Sequence, residues 1–347
     1  MTEEPEVIVR TEGSAGRITL NRPRALNALD ADMCLAISGA LLAWQGDDRT
    51  ASVLIDGAGD RAFCAGGDIR VIAESGKGDG AAARRFFQAE YRMNELLQRY
   101  AKPVVVIMNG ITMGGGVGLS APARYRIATE RTLWAMPEGD IGLFPDVGGG
   151  WHLPRLPGEA GAWLALTGAR LKAADLVALG IATHFVPSER IEALTAALRA
   201  GPAEEAVAAF AVDAGASPLD EHREKLDRLF GPGTVEEIMA ALAKGGGWAR
   251  AQAAILERKC PTTLKVALRL LREGARRASF ADEMAVEYRL AVRLTRRHDF
   301  IEGVRAVIVD KDNAPRWDPR GLDGVTDAML DELFAPLPAG EEWTPLA

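Results

Sequence analysis

Two glycine-rich loops, each directly after an apolar stretch typical of a buried strand, constrain this chain more than any other feature. The first is CAGGD at residues 64–68, after ASVLIDGAG, and the second is MGGGVG at residues 113–118, after PVVVIMNG. Glycine has no Cβ, so a ligand or another chain segment can approach its backbone closely. The chain must therefore place exposed backbone N–H groups near something at two points of the fold.

Such a loop has three usual functions: a phosphate cradle, a dinucleotide turn, or a set of N–H donors for a developing oxyanion. Residues 110–120 lack the Gly-Lys-Ser/Thr of a phosphate loop, and no acidic ribose ligand ends a following strand. Close packing of a helix is the structural alternative. The nearby segment MPEGDIGLFPD supplies Glu138 and Asp146. Backbone donors beside carboxylates favour chemistry at an acyl carbonyl.

The spacing of apolar residues predicts an α/β core followed by a helical extension. From about Glu159 the pattern becomes mostly helical, so we expect a core over residues 1–200 and a helical extension over 201–347 that packs on it. A helix is predicted over residues 81–100. Residues 71–80 are rich in glycine, aspartate and lysine, which predicts a mobile connector.

The composition is that of a soluble globular protein, with 347 residues, 48% of them hydrophobic and 26% charged. The net charge of −7 gives no general attraction to nucleic acid or to an anionic membrane. No apolar run is long enough to span a bilayer. The acidic start MTEEPEVIVR resembles neither a signal peptide nor a transit peptide, so we expect a cytoplasmic protein.

The cysteines and histidines give no metal signature. Cys34, Cys64 and Cys260 are widely separated, and no His/Cys cluster is present, so we predict no metal site. Cys64 lies in the first glycine loop and is interpreted as a small buried residue. Three basic pairs are either solvated helix faces or sites for a phosphorylated ligand: Arg84–Arg85, Arg276–Arg277 and Arg296–Arg297.

Four motifs in order, NRPRALNALD, FCAGGDI, NGITMGGGVGLS and MPEGDIGLFPDVGG, resemble the crotonase (enoyl-coenzyme A hydratase/isomerase) superfamily. Longer segments, among them IGLFPDVGGG and HDFIEGVRAVIVDKDNAPRW, resemble its 3-hydroxyisobutyryl-coenzyme A hydrolase branch, and the resemblance runs nearly end to end. It implies a crotonase-like spiral of β-β-α turns that forms two roughly perpendicular sheets. The helical C-terminal region would help to close the active site.

The resemblance assigns catalytic roles to two backbone groups and two carboxylates. The oxyanion donors would be the N–H groups of Gly67 and Gly115. Glu138 would act as general base for water or as nucleophile on the thioester carbonyl, and the sequence does not choose between these roles. Asp146 would bind the 3-hydroxyl of the substrate or steer protons near Glu138. Hydratases of the superfamily usually carry a further glutamate where this chain has Gly118.

The resemblance also outlines where the substrate lies. Glu90 would form a second polar wall of the acyl pocket, although a glutamate on a helix surface is the common alternative. The coenzyme would lie along RPRALNAL and AGGDIR, with arginines meeting its phosphates. The residues assigned to the coenzyme are Arg24, Leu26, Ala65, Asp68, Ile69 and Arg70.

The leading hypothesis is a thioesterase that hydrolyses 3-hydroxyisobutyryl-coenzyme A, a step of valine breakdown. An acyl-CoA thioester would be the partner, and no cofactor beyond that coenzyme A is implied. A hydratase or isomerase acting at the Cα–Cβ bond is the second hypothesis, and Gly118 counts against its hydratase form. A non-catalytic acyl-CoA-binding protein is the third. Superfamily members often form trimers, so a homo-oligomer is possible, although the C-terminal extension could cover that interface.

Overall fold

A computed structural model describes residues 5–346 of the chain. Within that range the strands lie in two sheets. They are β1 (Val7–Glu12), β2 (Ala15–Leu20), β3 (Ser52–Gly57), β4 (Ala62–Cys64), β5 (Val104–Met108), β6 (Ile111–Met113), β7 (Tyr125–Ala128), β8 (Leu133–Ala135) and β9 (His184–Phe185).

The strand order shows a spiral. The larger sheet has the order β1-β2-β3-β5-β7-β9 and the smaller one has the order β4-β6-β8. From β3 to β8, successive strands therefore alternate between the two sheets. The odd-numbered strands β3, β5 and β7 lie in the larger sheet, and β4, β6 and β8 lie in the smaller one. Only the hairpin of β1 and β2 is antiparallel among the paired strands described. This arrangement confirms the predicted α/β fold class.

Helices connect the strands and make up most of the chain after β9. In the first half they are α1 (Ala31–Gln45), α2 (Ile69–Lys77), α3 (Ala81–Gln98), α4 (Gly115–Ser120), α5 (Gly149–His152), α6 (Ala160–Thr167) and α7 (Ala173–Ala178). In the second half they are α8 (Ile191–Ala200), α9 (Ala203–Phe210), α10 (Arg223–Phe230), α11 (Val235–Ala243), α12 (Gly247–Leu256), α13 (Pro261–Gly274), α14 (Phe280–Leu294), α15 (His298–Val304) and α16 (Asp327–Phe334). A π-helical turn, Arg305–Val309, follows α15.

The segment predicted to be a mobile connector is helix α2 over most of its length. Ile72, Ala73 and Gly76 are buried on one side of this helix. A Cβ at Gly76 would lie 2.1 Å from the carbonyl oxygen of Thr295, so glycine allows α2 to pack directly against the chain after α14. Gly76, one of the glycines that suggested a mobile segment, therefore allows close packing instead. The connector prediction was wrong for this segment.

The C-terminal helices share the core of the sheets. One cluster of buried apolar side chains extends from Val7 in β1 to Trp343 near the C-terminal end of the described chain. Arg92 of α3, and Arg99 directly after this helix, donate hydrogen bonds to the carbonyl oxygens of Thr344 and Leu346, at 2.8 and 3.0 Å. The chain thus returns at its end to the helix that carries Glu90. The division at residue 200 stays a prediction.

Among the helices of residues 5–346, none combines the length and the apolar character that a membrane span requires.

Candidate active site

The two glycine loops meet in the fold. A Cβ added at Gly66 would lie 3.8 Å from the Cα of Gly114 and 3.9 Å from the amide nitrogen of Gly115. Gly66 and Gly114 have φ angles of +116° and +48°, in the region that side chains other than glycine rarely adopt. The parallel strands β4 and β6 are neighbours in the smaller sheet, and this pairing delivers both loops to one place.

The backbone orients both predicted donors toward a shared space. Leu29 donates to the carbonyl of Gly66 and accepts from the amide of Asp68, each at 2.8 Å, so the N–H of Gly67 points away from Leu29. Gly115 is the first residue of α4, where an amide has no partner within the helix. Both glycines line a cavity of about 250 Å³. The two N–H groups can therefore face one carbonyl oxygen.

Side chains at these positions would fill that space. A Cβ at Gly67 would lie 2.7 Å from the ring of Phe86, and one at Gly115 would lie 2.6 Å from Oε1 of Glu90. The cavity wall is otherwise apolar, apart from Arg170 and the four carboxylates of Glu90, Glu138, Asp140 and Asp146. Its apolar side chains are Ala65, Ile69, Phe86, Phe87, Met113, Pro137, Ile141, Leu143, Val147, Val307 and Ile308. The last two come from the π-helical turn, so the C-terminal region forms part of this wall.

Glu138 begins a 3₁₀ turn, Glu138–Asp140, directly after β8 and Pro137. The residue is 6% exposed, and its Oε2 has no hydrogen-bond partner within the described chain. Its Oε1 is 3.3 Å from the point that a Cβ of Gly114 would occupy. Burial, and then the charge of Asp146, raise the pKa of Glu138 well above its ordinary value. An unpartnered carboxyl beside the glycine loops is free to accept or donate a proton.

Asp146 is held by Tyr91, whose hydroxyl donates to Oδ2 at 2.7 Å. Burial raises the pKa of Asp146 to about 6, while the bond from Tyr91 opposes that rise. The next residue, Val147, has a φ of +53°, a conformation that costs a β-branched residue about 1–3 kcal/mol. The backbone is therefore strained at the point where it turns Asp146 into the cavity.

Glu90 completes the set of carboxylates from the inner face of α3. It is 1% exposed, and its Oε1 has no hydrogen-bond partner in residues 5–346. Burial, followed by the charges of Asp146 and Glu138, raises the pKa of Glu90 well above its ordinary value. Carboxyl groups so close together in a buried site do not all ionise at once, so they titrate as a group. One can hold a proton while another accepts one.

The surroundings of Gly118 leave no room for the further glutamate that hydratases were expected to carry at this position. A Cβ there would lie 2.7 Å from the Cβ of Val147 and 2.8 Å from Nδ2 of Asn94. A glutamate at this position would collide with both. The space beside Gly118 is occupied by the side chains of Asn94 and of Val147, the residue that follows Asp146.

Three residues that the sequence analysis did not identify position these carboxylates. Besides Tyr91, Glu287 of α14 accepts hydrogen bonds from the amides of Gly148 and Gly150 at 2.8 and 3.0 Å, just beyond Asp146. The buried Lys259 lies 2.6 Å from Asp140, in the turn that begins with Glu138. Tyr91 could have been identified from the sequence, because it is adjacent to the predicted site residue Glu90. Glu287 and Lys259 are more than a hundred residues along the chain from the turns that they contact, so the local sequence does not identify them.

The residues assigned to the coenzyme lie in two loops joined by their backbones. The amide of Ala65 donates to the carbonyl of Leu26 at 3.0 Å, and Ala65 and Ile69 line the cavity. Asp68 forms an ion pair with Arg22 at 3.3 Å. Arg24 and Arg70 are exposed. Arg70 also donates to the carbonyl of Ile308 at 3.2 Å, which ties it to the cavity wall. The roles of all six residues stay predictions.

Cys64 is buried beside the first loop, and burial raises the pKa of its thiol to about 12. It is therefore protonated at neutral pH and is not activated as a nucleophile. Across the described chain, no group of three or more His, Cys, Asp or Glu residues is arranged to hold a metal ion.

Comparison with known proteins identifies the family. The profile described as enoyl-CoA hydratase/isomerase matches residues 15–334. The chain belongs to the enoyl-CoA hydratase/isomerase family. A family member from Danio rerio named "3-hydroxyisobutyryl-CoA hydrolase, mitochondrial" is 49% identical over 344 residues, which are 96% of this chain and 90% of the relative. The protein of that name from Homo sapiens is 46% identical over 96% of this chain and 89% of its own length.

Solved structures of the enoyl-CoA hydratase/isomerase family share the whole fold. One titled a carnitinyl-CoA dehydratase, from Mycobacterium thermoresistibile, has a TM-score of 0.94 at 43% identity and covers 98% of this chain and 99% of its own. One titled an enoyl-CoA hydratase, from Rhodobacter sphaeroides, has a TM-score of 0.89 at 41% identity, with coverage of 98% and 100%. The predicted family resemblance is confirmed.

The predicted cytoplasmic location is wrong. The curated relatives from Danio rerio and Homo sapiens are both named as mitochondrial proteins. The acidic start of the chain, on which that prediction depended, is therefore no guide to location.

Proposed function

We propose that this chain hydrolyses 3-hydroxyisobutyryl-CoA to 3-hydroxyisobutyrate and free CoA, a step of valine breakdown. The observation that carries the proposal is the buried carboxyl of Glu138, whose Oε2 has no hydrogen-bond partner in the described chain, beside two converging glycine loops. The near full-length similarity to relatives named 3-hydroxyisobutyryl-CoA hydrolase supports the same substrate. The substrate supplies the coenzyme A, so the reaction needs no further cofactor.

In the proposed reaction the thioester oxygen accepts hydrogen bonds from the N–H groups of Gly67 and Gly115. Glu138 removes a proton as the oxygen of water attacks the thioester carbon, and the negative charge moves to the carbonyl oxygen. The intermediate collapses, the C–S bond breaks, and the proton on Glu138 passes to the sulfur of CoA. Alternatively, Glu138 attacks the carbon itself, expels CoA as a mixed anhydride forms, and is released by water.

Asp146 and Glu90 bind the polar part of the acyl group in this proposal. Asp146 faces the cavity with one oxygen held by Tyr91, so the carboxylate is positioned to accept a hydrogen bond from the 3-hydroxyl. Glu90 lies opposite, against Gly115. The coenzyme runs out along the loops that contain Leu26 and Ala65.

Hydration or isomerisation at the Cα–Cβ bond is the second candidate, because two similar structures carry the titles of a dehydratase and a hydratase. The packing around Gly118 counts against hydration, since it leaves no room for a second glutamate there. Isomerisation needs one base and is compatible with Glu138 alone.

The test follows free thiol and enoyl absorbance with 3-hydroxyisobutyryl-CoA and crotonyl-CoA as substrates. We expect thiol release from the first and no reaction with the second. Glu138→Gln should slow thiol release by about a hundredfold or more, because the proton acceptor is lost. Asp146→Asn should also slow it. Glu95→Gln is the matched control, since Glu95 is bonded to Arg99 at 3.0 Å and does not line the cavity.

Loss of enoyl absorbance without thiol release would contradict the hydrolase and support the second candidate. Tight CoA binding with neither reaction would support a binding protein instead.

A further inference from the structure

A second cavity, of about 620 Å³, lies against the C-terminal half of α4, whereas the candidate active site lies against its first residue. Its charged or titratable lining residues are Arg124, Arg126, Arg155 and His152, and we call it the arginine cavity. No Asp or Glu is among the described residues that line it. A cavity lined by arginines without any acidic residue is unexpected in a chain with a net charge of −7.

Arg126 is not neutralised by a carboxylate. Its Nε and two Nη atoms donate to the backbone carbonyls of Ile181, Ala123 and Gly180, at 2.7, 2.7 and 3.0 Å. These acceptors orient the guanidinium without cancelling its charge. Burial lowers the pKa of Arg126. A cation that is partly desolvated and lacks a counter-charge is costly unless an anion is bound nearby.

His152 and Arg155 line the same cavity as Arg126. The guanidinium carbon of Arg155 lies 3.5 Å from the centre of the Trp151 ring. Nε2 of His152 is buried and has no hydrogen-bond partner among the described residues. Burial, followed by the charges of Arg126 and Arg155, lowers the pKa of His152 to about 3. The imidazole is therefore uncharged at neutral pH, and an anion here would balance the charge of Arg126 and give Nε2 of His152 a partner.

The remaining lining residues are suited to an apolar body. They include Trp134, Met136, Trp151, Leu153, Leu156, Leu179 and Ile181. The volume lies in the range of about 300–1,000 Å³ that small-molecule sites occupy. We propose that the arginine cavity binds a small organic monoanion, a carboxylate attached to a flat or branched apolar group. This site is separate from the one that holds the thioester, and the proposal does not depend on the proposed function.

The test compares 4-phenylbutyrate with its neutral isostere 4-phenylbutanamide by isothermal titration calorimetry on the full chain. The acid should bind at least about tenfold more tightly, because a charged hydrogen bond is replaced in the amide by a neutral one. Trp134 and Trp151 line the cavity, so the acid should also change the intrinsic fluorescence. Saturating CoA should not displace the acid, and Glu138→Gln should bind it as the wild type does.

Two variants locate the site. Ala121→Trp fills the cavity from the end of α4 and should abolish binding. Arg124→Gln removes an exposed charge without repacking, and should weaken binding of the acid severalfold but not that of the amide. Equal affinities for acid and amide, displacement by CoA, unchanged binding in both variants, or no binding at millimolar concentration would each overturn the proposal.

Discussion

Tyr91 is the single residue that most directly sets the ionisation of Asp146. Its hydrogen bond favours the charged carboxylate, so Tyr91→Phe should raise the pKa of Asp146 above its present value of about 6. If the reaction needs ionised Asp146, the acidic limb of kcat/KM should move up by about one pH unit. The pH–rate profile of thiol release measures this shift. An unchanged acidic limb would show that Asp146 is not required in its charged form.

Gly118 and Gly39 form a matched pair for packing. Gly118→Ala should lower the free energy of unfolding by about 1–3 kcal/mol, because the added Cβ meets Val147 and Asn94. Gly39→Ala should raise it by about 0.5–1 kcal/mol, since that helical position has nothing within 4 Å. Urea denaturation compares the two variants. Equal effects would mean that the backbone near Val147 yields easily.

The sequence predicted the residues at the centre of the candidate site, and the structure places Gly67, Gly115, Glu138, Asp146 and Glu90 on one cavity. These residues belong to short sequence motifs, so they could be identified without knowledge of contacts between distant parts of the chain. Residues outside these motifs were not predicted. The hydrogen bonds that the amides of Gly148 and Gly150 donate to Glu287 depend on how α14 packs, and no property of the segment EMAVEYRL points to that contact.

Among the elements, the junction of α12 and α13 acts on the turn that begins with Glu138. The ammonium group of Lys259 lowers the pKa of Glu138, against the larger effects of burial and of Asp146. Lys259→Met should therefore raise that pKa further and move the acidic limb of the rate profile to higher pH. Lys259→Arg should show a smaller shift than Lys259→Met, because the charge is retained.

Lys102→Met is the control for this junction. Lys102 is half-buried and donates to the carbonyls of Trp44 and Asp47, far along the chain from the turn. Its loss should reduce stability without moving the profile. The proposed effect of Lys259 on Glu138 would be contradicted if the pH–rate profile of Lys259→Met matched that of the wild type. It would also be contradicted if Lys259→Met and Lys102→Met shifted the profile equally.

The elements themselves followed the sequence where apolar spacing was regular. The helix predicted over residues 81–100 is α3. The segment 71–80 was misjudged because its glycines suggested a loop. Which contact a glycine permits is a property of tertiary packing, and the sequence alone does not contain it.

For the whole molecule, the buried carboxyls should make stability depend on pH. Folding raises the pKa of Asp146 from 3.8 to about 6, so the folded state keeps a proton that the unfolded state loses. Stability from this group is present below pH 3.8 and is lost as pH rises to about 6. His152 opposes this trend, because its pKa is lowered from 6.5 to about 3 in the folded state, so the comparison must be made with a variant of Asp146 alone.

Asp146→Asn removes the charge and keeps an oxygen for Tyr91. Relative to the wild type, its free energy of unfolding should increase between pH 4 and pH 7 by on the order of 2 kcal/mol. Urea denaturation of both proteins at the two pH values measures the difference. The same difference at pH 4 and pH 7 would mean that Asp146 ionises normally in the folded chain.

The unpartnered oxygen of Glu90 has a spectroscopic consequence. A buried carboxyl with a raised pKa keeps its proton over a wider pH range. The C=O stretching band of the protonated carboxyl is separate from the amide bands in the infrared spectrum. Substrate that donates a hydrogen bond to that oxygen would lower the stretching frequency. Difference infrared spectroscopy could then follow the arrival of an acyl group in the cavity through Glu90 itself, without a label.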